Sequence, residues 1–403
     1  MQRRIAYEIL CKSFIDGQYA NLGLKSRLNE LKPIQRALVT EIVNGVLRNY
    51  SLLEYQFSDL INDQTKIETK IILAMSCYEK FYLGVDDYVV VNEYVALGRS
   101  KSEKGFLNAV LRKVSDTFKE PELKTDEALA IHYSIPLWLV KMLKSQYSEA
   151  EFKFYLEDLE NEPKLYYRIN PKKANIELLS HLNIEMLDER SFTSKFNLIN
   201  TDEFKEGLFY IQDYNSGKIV DYLDLKSDSR YLDVCSAPGA KLFNALEIVN
   251  ESNVYANDLH EHRVELIRSR AKSLGYENIN YWNKDATEKF EGFENSFDRI
   301  LVDAPCSGLG VIKRKPDLRY HITPNDIDDI MKIQADILDN MATLLKPNGI
   351  MVYSTCTINT KENRRQVLSF LKRHDDFELV EDTMLQELNN SDRFYVAKLL
   401  KVR

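Results

Sequence analysis

The feature that most constrains this chain is the regular alternation of strand-like and helix-like segments over residues 226–403. Alternation of this kind predicts a parallel sheet whose two faces are covered by helices. The predicted strands are residues 231–234, 253–257, 279–283, 299–302, 349–353 and 394–399. Glycine is scarce in the chain, at 14 residues, so the glycines at strand–helix junctions indicate turns with special backbone geometry.

Residues 1–122 have a different pattern and are predicted to form an all-helical bundle. Apolar residues recur at helical spacing there, and Pro33 is the only proline before Pro121. Residues 123–225 contain several prolines, which indicate short elements and domain boundaries. We therefore expect three domains: a helical bundle over 1–122, a small α+β region over 123–225, and an α/β domain over 226–403.

The composition excludes several classes of protein. The chain has 44% hydrophobic and 29% charged residues, as soluble globular proteins do. No apolar run approaches the roughly 18 residues of a membrane span, and the start lacks the apolar core of a signal peptide. Five cysteines without a Cys-x-x-Cys pair indicate neither a disulfide framework nor a zinc site. We expect a cytoplasmic monomer with reduced thiols, no metal and no membrane contact.

The net charge of −8 argues against general nucleic-acid binding, so any RNA contact must use local basic patches. One candidate is the segment 164–173, where Tyr166 and Tyr167 lie among basic residues that suit unpaired RNA. A strand with a solvated basic edge is the alternative interpretation of this segment. A second candidate is the loop that becomes basic at Lys313, Arg314 and Lys315.

Two cysteines follow predicted strands of the α/β region. Asp303 and Cys306 come directly after the strand 299–302, at the sheet edge where open α/β sheets bind ligands. Cys356 follows the next predicted strand, so the two thiols can share one site. An active thiolate needs nearby positive charge or a helix N-terminus, and both loops could supply one. A buried structural cysteine is the alternative for Cys306 alone.

Three other strand ends indicate a nucleoside site. The small-residue loop 233–241 allows close approach of a ligand, but it lacks both the dinucleotide glycine pattern and the Walker lysine–serine pair. Asp258 follows about twenty residues later, where an acid commonly binds ribose hydroxyls. Asp285 ends the third strand and could meet an adenine amino group. Each carboxylate alone is more often an exposed turn residue; together they indicate a nucleoside with an attached anion.

These motifs resemble those of the Sun/Nop2 family of RNA cytosine-5 methyltransferases. The matching segments are DVCSAPGAK, DRILVDAPCSGLGVIKRKPD and MVYSTCTINTKEN. In the first part of the chain, VVNEYVALGRSKSEKGFLNAVLRKV resembles the end of the NusB-like helical domain, whose members bind RNA. A dimerising bundle without an RNA role is the alternative for that domain. The resemblance implies a NusB-like bundle followed by a Rossmann-like class I methyltransferase domain.

The resemblance also implies an activity. Bacterial members of this type transfer a methyl group from S-adenosylmethionine to carbon 5 of a cytosine in 16S ribosomal RNA. Cys356 would be the nucleophile, Asp303 would contact cytosine N3, and Cys306 would assist product release, with no metal ion. The implied cofactor contacts are Cys235, Ser236, Ala237, Pro238, Gly239, Ala240, Lys241, Asp258, Arg263, Asp285 and Asp303.

Two alternatives to this function remain at the level of sequence: an enzyme of the same chemistry that acts on another RNA such as transfer RNA, and a non-catalytic RNA-binding assembly factor. The chain departs from the family pattern at Ala240 and Leu242, where glycine and threonine are usual. It also has Arg393 where the family often has glycine, which puts the local turn in doubt.

Overall fold

The computed structural model describes residues 1–388 and 390–403, without the side chain of Glu30. Among these residues, no helix is both long and apolar enough to cross a bilayer. The helices in chain order are α1 Gln2–Asp16, α2 Ala20–Arg27, α3 Pro33–Tyr55, α4 Ile67–Phe81, α5 Asp87–Val95, α6 Lys101–Leu111, α7 Asp126–His132, α8 Leu137–Gln146, α9 Glu149–Asp158, α10 Asp202–Lys205, α11 Tyr214–Lys218, α12 Ala240–Ala245, α13 Glu261–Leu274, α14 Leu318–His321, α15 Pro324–Leu344 and α16 Arg364–Arg373. The strands are β1 Tyr166–Ile169, β2 Ile184–Met186, β3 Ser191–Ser194, β4 Phe209–Ile211, β5 Tyr231–Asp233, β6 Val254–Asn257, β7 Asn280–Trp282, β8 Phe297–Asp303, β9 Leu345–Thr355, β10 Phe377–Leu385 and β11 Phe394–Lys401.

The chain forms two compact units. The first consists of Met1–Glu160 together with Ile312–Thr323, and the second consists of Asn161–Val311 and Pro324–Arg403. Helices alone form the N-terminal part, and strands and helices alternate in the C-terminal part, so the predicted order of fold classes is confirmed. The division into three domains at residues 122 and 225 stays a prediction.

The first unit is a helical bundle built on amphipathic helices. Helix α3 begins at Pro33, whose missing N–H costs nothing in the first turn. The side chain of Gln35 accepts a hydrogen bond from the backbone N–H of Lys32 at 3.1 Å, which completes the helix start. Ile42 and Val46 of this helix are fully buried. Each such side chain contributes roughly 1.5–3 kcal/mol through removal of its apolar surface from water.

The segment Ile312–Thr323 is held in the first unit by buried polar contacts. Asp317 accepts a hydrogen bond from the backbone N–H of Ala20 at 2.8 Å. Arg319, which is 2% exposed, donates to the backbone carbonyl of Tyr133 at 2.9 Å. Lys313 is also 2% exposed and pairs with Asp158 at 2.9 Å. The expectation that Lys313 belongs to a phosphate-attracting patch is therefore wrong, because a buried carboxylate already holds this ammonium group.

The small sheet of the second unit explains the segment 164–173. Its strand order is β2–β3–β1–β4, and each neighbouring pair is antiparallel. Tyr166 and Tyr167 lie on β1 and are 3% and 0% exposed. Tyr167 packs against the rings of Phe192 and Phe209, each at a centroid distance of 5.4 Å. These two tyrosines are buried in this structure, so the interpretation of the segment as a strand is correct and base stacking on its tyrosines is wrong.

The large sheet of the second unit has the strand order β10–β11–β9–β8–β5–β6–β7 within the described residues. Strands β5 to β9 pair in parallel with one another, as predicted. Strand β11 is antiparallel to β9 and to β10, so the prediction of a wholly parallel sheet is wrong. Strand β10 was not predicted from the sequence, because it lies at the sheet edge and its residues alternate only weakly between buried and exposed. A short connection suffices for β10 and β11, since antiparallel strands need no crossover helix.

Both faces of the large sheet are covered, as predicted. On β5, Tyr231 belongs to one apolar cluster and Leu232 to another, because successive side chains point to opposite faces. Phe243 of α12 joins the first cluster, and Phe370 of α16 joins the second. The loops at the carboxyl ends of the parallel strands therefore start from a rigid, fully packed layer.

Candidate active site

The candidate site lies in the second unit, at the carboxyl ends of four parallel strands. Strands β6, β5, β8 and β9 are consecutive neighbours in the sheet. In the register of β8 and β9, Asp303 lies opposite Ser354. The chain segments that follow these two residues carry Cys306 and Cys356. Adjacent parallel strands thus bring together two loops that are 50 residues apart in sequence.

The two cysteine sulfurs are the centre of the site. Sγ of Cys306 lies 3.3 Å from Sγ of Cys356, within hydrogen-bond reach. This distance is well beyond the roughly 2.05 Å of a disulfide, so neither cysteine is in a disulfide, and both are partly buried. The hydrogen bond with Cys356, burial and the charge of Glu362 raise the pKa of the Cys306 thiol well above its ordinary value. The structure thus unites the two cysteines that the sequence assigned to one site.

Asp303 carries two strong hydrogen bonds beside the sulfurs. Its Oδ2 accepts from Nζ of Lys241 at 2.7 Å, and its Oδ1 accepts from the hydroxyl of Ser354 at 2.7 Å. Burial would lower the pKa of Lys241, but Asp303 and, more weakly, Cys356 raise it above its ordinary value. The resemblance implied that Lys241 is a cofactor contact, and this role stays a prediction; in the structure its ammonium group pairs with Asp303.

Asp233 is a buried carboxylate at the end of β5. It is 1% exposed, and neither carboxylate oxygen has a hydrogen-bond partner among the described residues. Burial, with repulsion from Asp303, raises the pKa of Asp233 to about 7, and the ammonium group of Lys241 only partly opposes this shift. The sequence motif contains Asp233, but the prediction gave it no role.

The loop 235–240 turns sharply between β5 and α12. Gly239 has φ of 101° and ψ of −2°, a left-handed conformation that favours glycine. A Cβ atom at this position would lie 2.7 Å from the ring of Phe243. The backbone N–H of Ser236 donates to the carbonyl of Asn257 at 2.9 Å, which ties the loop to the end of β6. Burial raises the pKa of the Cys235 thiol far above its ordinary value, so this cysteine stays protonated.

Asp258 and Arg263 brace the same loop from the next strand. Asp258 is 2% exposed and accepts a hydrogen bond from the backbone N–H of Ala237 at 3.2 Å. Nη1 of Arg263 lies 3.4 Å from Oδ1 of Asp258, and its Nη2 donates to the carbonyl of Ala237 at 3.0 Å. The exposed Pro238 follows Ala237 at the surface of the loop. Arg263 therefore orients Asp258 and the loop together.

Asp285 lies after β7, and Asn257 links its loop to the others. Oδ1 of Asp285 accepts from the backbone N–H and the hydroxyl of Thr287 at 2.9 and 2.7 Å. The side chain of Asn257 donates to the carbonyls of Val234 and Lys284 at 3.0 and 3.1 Å. One buried amide thus fixes three strand ends, although nothing in the sequence around Asn257 distinguishes it from a surface asparagine.

The departures from the family pattern are accommodated. Leu242 is fully buried in the apolar cluster below α12, and Ala240 begins that helix. The side chain of Arg393 is 1% exposed and donates to the carbonyl of Gln386 at 3.2 Å. A Cβ atom at Gly310 would lie 2.3 Å from the carbonyl oxygen of Arg393, so this close approach requires a glycine at 310. Arg393 lies directly before β11, and its backbone N–H donates to the carbonyl of Gly310 at 3.0 Å.

The described residues contain no group of three or more histidine, cysteine or acidic side chains that could hold a metal ion. The site offers instead carboxylates, two thiols and one ammonium group. Such a set can bind hydroxyl groups and cations, activate a nucleophile and donate hydrogen bonds to a flat heterocycle.

Comparison with known proteins identifies the family. The family described as "16S rRNA methyltransferase RsmB/F" matches residues 220–400, and the NusB family matches residues 1–116. "Probable ribosomal RNA small subunit methyltransferase B" of Bacillus subtilis (strain 168) is 38% identical, and the alignment covers 93% of this chain and 89% of that protein. "Ribosomal RNA small subunit methyltransferase B" of Yersinia enterocolitica (serotype O:8 / biotype 1B, strain NCTC 13174 / 8081) is 29% identical over 99% and 98% of the two chains.

A solved structure agrees with this assignment at the level of the fold. The crystal structure of PH0851 matches with a TM-score of 0.79 and 20% sequence identity, and the match covers 98% of both chains. The resemblance inferred from the motifs is confirmed. With a NusB domain in front of a methyltransferase domain, the chain belongs to the RsmB/F family of 16S rRNA methyltransferases.

Proposed function

We propose that this protein methylates carbon 5 of a specific cytosine in 16S ribosomal RNA, with S-adenosylmethionine as methyl donor and a covalent adduct on Cys356. The observation that carries the proposal is the 3.3 Å approach of the Cys306 and Cys356 sulfurs beside the ion pair of Asp303 and Lys241. The printed names of the relatives, ribosomal RNA small subunit methyltransferases B, support ribosomal RNA as the substrate.

The residues present fit S-adenosylmethionine. Asp233 has two buried carboxylate oxygens without a hydrogen-bond partner in the described part of the chain, beside the buried Asp258 and the partly exposed Asp303. These three carboxylates outnumber the two nearby cationic groups, the ammonium of Lys241 beside Asp303 and the guanidinium of Arg263 beside Asp258, and leave an excess of negative charge. A ligand that carries an ammonium and a sulfonium group would relieve it. Asp258 and Asp285 would hold the nucleoside, while the loop 235–240 would lie along the ligand.

When bound, S-adenosylmethionine supplies a methyl group that the positive charge on its sulfur has already activated. The rest of the chemistry belongs to the protein. Carbon 5 of cytosine is a poor nucleophile, and addition of the Cys356 thiolate to carbon 6 makes it enamine-like. Asp303 would hydrogen-bond cytosine N3 and favour its protonation as the adduct forms. After methylation, a base removes the proton on carbon 5 and the bond between carbon 6 and Cys356 breaks with assistance from Cys306.

The target cytosine must leave its stack to reach these groups, because a thiol cannot approach carbon 6 within a helix of paired bases.

Methylation of another RNA such as transfer RNA uses the same site and is the first alternative. A non-catalytic assembly factor is the second, and the close pairing of Cys306 with Cys356 argues against it, since an RNA-binding surface has no need of two adjacent thiols.

Labelled methyl transfer tests the proposal directly. The purified protein is incubated with S-adenosylmethionine tritiated in the methyl group and with RNA from cells that lack the gene. Label in 16S ribosomal RNA, followed by bisulfite mapping to one cytosine, is the expected result. Label only in transfer RNA supports the first alternative, and no label in any RNA, naked or assembled, supports the second.

Two cysteine variants test the assignment of roles. Cys356→Ala should abolish transfer while the dissociation constant for the cofactor changes by less than about twofold. Cys306→Ala should accumulate an RNA–protein adduct that survives denaturing electrophoresis, because its release is slowed. Cys11→Ala, in the first unit, serves as the matched control and should retain full transfer. Transfer near the wild-type rate in Cys356→Ala would refute the nucleophile assignment.

A further inference from the structure

Glu362 is a buried acid that the proposed reaction does not use. Its side chain is 0% exposed. Four neutral groups donate to its carboxylate: the backbone N–H of Ser307 at 2.8 Å, the hydroxyl of Ser307 at 2.6 Å, and the amides of Asn359 and Gln334 at 2.9 and 3.4 Å. Three of these groups can only donate, so they suit the ionised form of Glu362.

The carboxylate of Glu362 joins the two cysteine loops. Ser307 directly follows Cys306, and its hydroxyl also lies 2.8 Å from the hydroxyl of Thr357, which directly follows Cys356. The amide of Gln334 additionally donates to the carbonyl of Pro305 at 2.9 Å, which fixes the other side of the Cys306 loop. Glu362 is therefore the common anchor of a buried network that sets the distance between the two sulfurs.

The charges around the two sulfurs are unequal. The negative charge of Glu362 disfavours a thiolate at Cys306, and it contributes to the raised pKa of that thiol. The ammonium group of Lys241 interacts favourably with Cys356, which is one of the causes of the raised pKa of Lys241. Tyr353, on the strand beside Cys306, adds no charge, because burial raises the pKa of its phenol well above the ordinary value.

Asp303, on the strand that precedes Cys306, is paired with Lys241 at 2.7 Å and does not reverse this asymmetry. Two sulfurs 3.3 Å apart resist simultaneous ionisation, since like charges at that distance repel strongly. Once the pair has lost one proton, it therefore holds one negative charge and one remaining proton, and the fixed charges decide which sulfur keeps that proton.

We propose that Glu362 is a positioning residue that keeps the shared proton on Cys306 and so leaves the negative charge on Cys356. The assignment rests on the proposed function, in which Cys356 attacks carbon 6. The balance of protons is simple. One thiol proton goes to solvent when the pair ionises, and the other stays on Cys306. When the bond between carbon 6 and Cys356 breaks, its electron pair returns to the Cys356 sulfur. The Cys306 thiol donates a hydrogen bond to that leaving thiolate.

Site-resolved alkylation of the full-length protein tests this assignment without RNA or cofactor. Iodoacetamide reacts with thiolates, and mass spectrometry of the peptides gives a separate rate for Cys306 and Cys356 between pH 6 and 9. In the wild type, we expect Cys356 to react about tenfold faster than Cys306 at pH 7. Equal rates, or faster reaction at Cys306, would overturn the proposal, and this outcome requires no variant.

Two variants separate the charge of Glu362 from its packing. Glu362→Gln keeps the shape and removes the charge, so the ratio of the two alkylation rates should fall by about fivefold or more. Ser307→Ala is the control for packing, because it removes the hydroxyl contacts with Glu362 and Thr357 but keeps the Glu362 carboxylate; its ratio should stay within about twofold of wild type. A folded Glu362→Gln protein with an unchanged ratio contradicts the proposal.

The result is independent of the methylation assay. If Cys356→Ala retains methyl transfer while the alkylation ratio still depends on Glu362, the proposed function fails and the charge assignment stands. If Cys356→Ala is inactive and Glu362→Gln leaves the ratio unchanged, the function stands and the role of Glu362 fails.

Discussion

Replacement of Asp233 by asparagine should change how the stability of the second unit depends on pH. Asp233 is 1% exposed, and burial, with repulsion from Asp303, raises its pKa from 3.8 to about 7. A carboxyl group with a raised pKa in the folded state binds more protons folded than unfolded between these two values. Its contribution to the free energy of unfolding is therefore fully present below pH 3.8 and is lost as the pH rises through 7.

The size of the effect follows from the shift. Three pKa units at about 1.4 kcal/mol each correspond to about 4 kcal/mol in total, of which about 2.5 kcal/mol falls between pH 5 and pH 8. Asp233→Asn cannot titrate, so the free energy of unfolding of the variant should rise relative to wild type by about 2.5 kcal/mol over that interval. The comparison of pH slopes cancels the fixed cost of burying an amide in place of the acid.

The assay is urea unfolding followed by tryptophan fluorescence at several pH values. The chain has two tryptophans, and Trp138→Phe leaves Trp282 as the reporter of the second unit. Asp298→Asn is the control. Burial alone would raise the pKa of Asp298, but hydrogen bonds from Lys346 and the Arg230 backbone lower it, so its contribution is lost only as the pH falls below 3.8. If the free energy of unfolding changes with pH in the same way for Asp233→Asn and wild type, Asp233 is already ionised in the folded protein at pH 5. That outcome would refute the raised pKa.

Two further substitutions test close packing and buried charge. Gly310→Ala should lower the free energy of unfolding of the second unit by about 2 kcal/mol or more in urea, because the new Cβ would lie 2.3 Å from a backbone oxygen. Gly105→Ala is the control. Nothing lies within 4 Å of the new Cβ there, so this variant should stabilise its helix by about 0.5–1 kcal/mol. Asp158→Ala should lower the free energy of unfolding of the first unit by about 3–5 kcal/mol, because it removes the carboxylate partner of the buried Lys313. Glu157→Ala, which removes a surface ion pair, should lower it by at most about 1 kcal/mol. Equal losses in Asp158→Ala and Glu157→Ala would contradict the burial of that ion pair.

The strands that carry the site could be predicted because their signals are local. Strand β5 was predicted at 231–234 and lies at Tyr231–Asp233, and β6 was predicted at 253–257 and lies at Val254–Asn257. Short apolar runs followed by glycine or a carboxylate are enough to indicate a strand that enters a functional loop. Strand β10 gave no such signal, since it lies at the edge of the sheet and most of its residues are partly or fully exposed.

Partners of individual side chains could not be predicted in the same way. Lys313 was expected to face phosphate, yet its partner Asp158 lies 155 residues earlier in the chain. Lys241 stands at the end of the small-residue loop, and nothing in the sequence shows that its ammonium group pairs with Asp303, 62 residues later. Tyr167 was equally compatible with an RNA surface or a core, and only the pairing of β1 between β3 and β4 buries it.

The amino-acid sequence by itself determined the succession of a helical bundle and an α/β domain, and the presence of two thiols, a small-residue loop and acids at strand ends. Hydrophobic periodicity and turn residues act over a few positions, so the chain carries that information locally. Tertiary structure alone decided that the sulfurs of Cys306 and Cys356 meet at 3.3 Å, that the carboxylate oxygens of Asp233 have no hydrogen-bond partner among the described residues, and that Glu362 anchors both cysteine loops. Those properties depend on which strands become neighbours and on how far water is excluded between them, and both are set by contacts between distant parts of the chain.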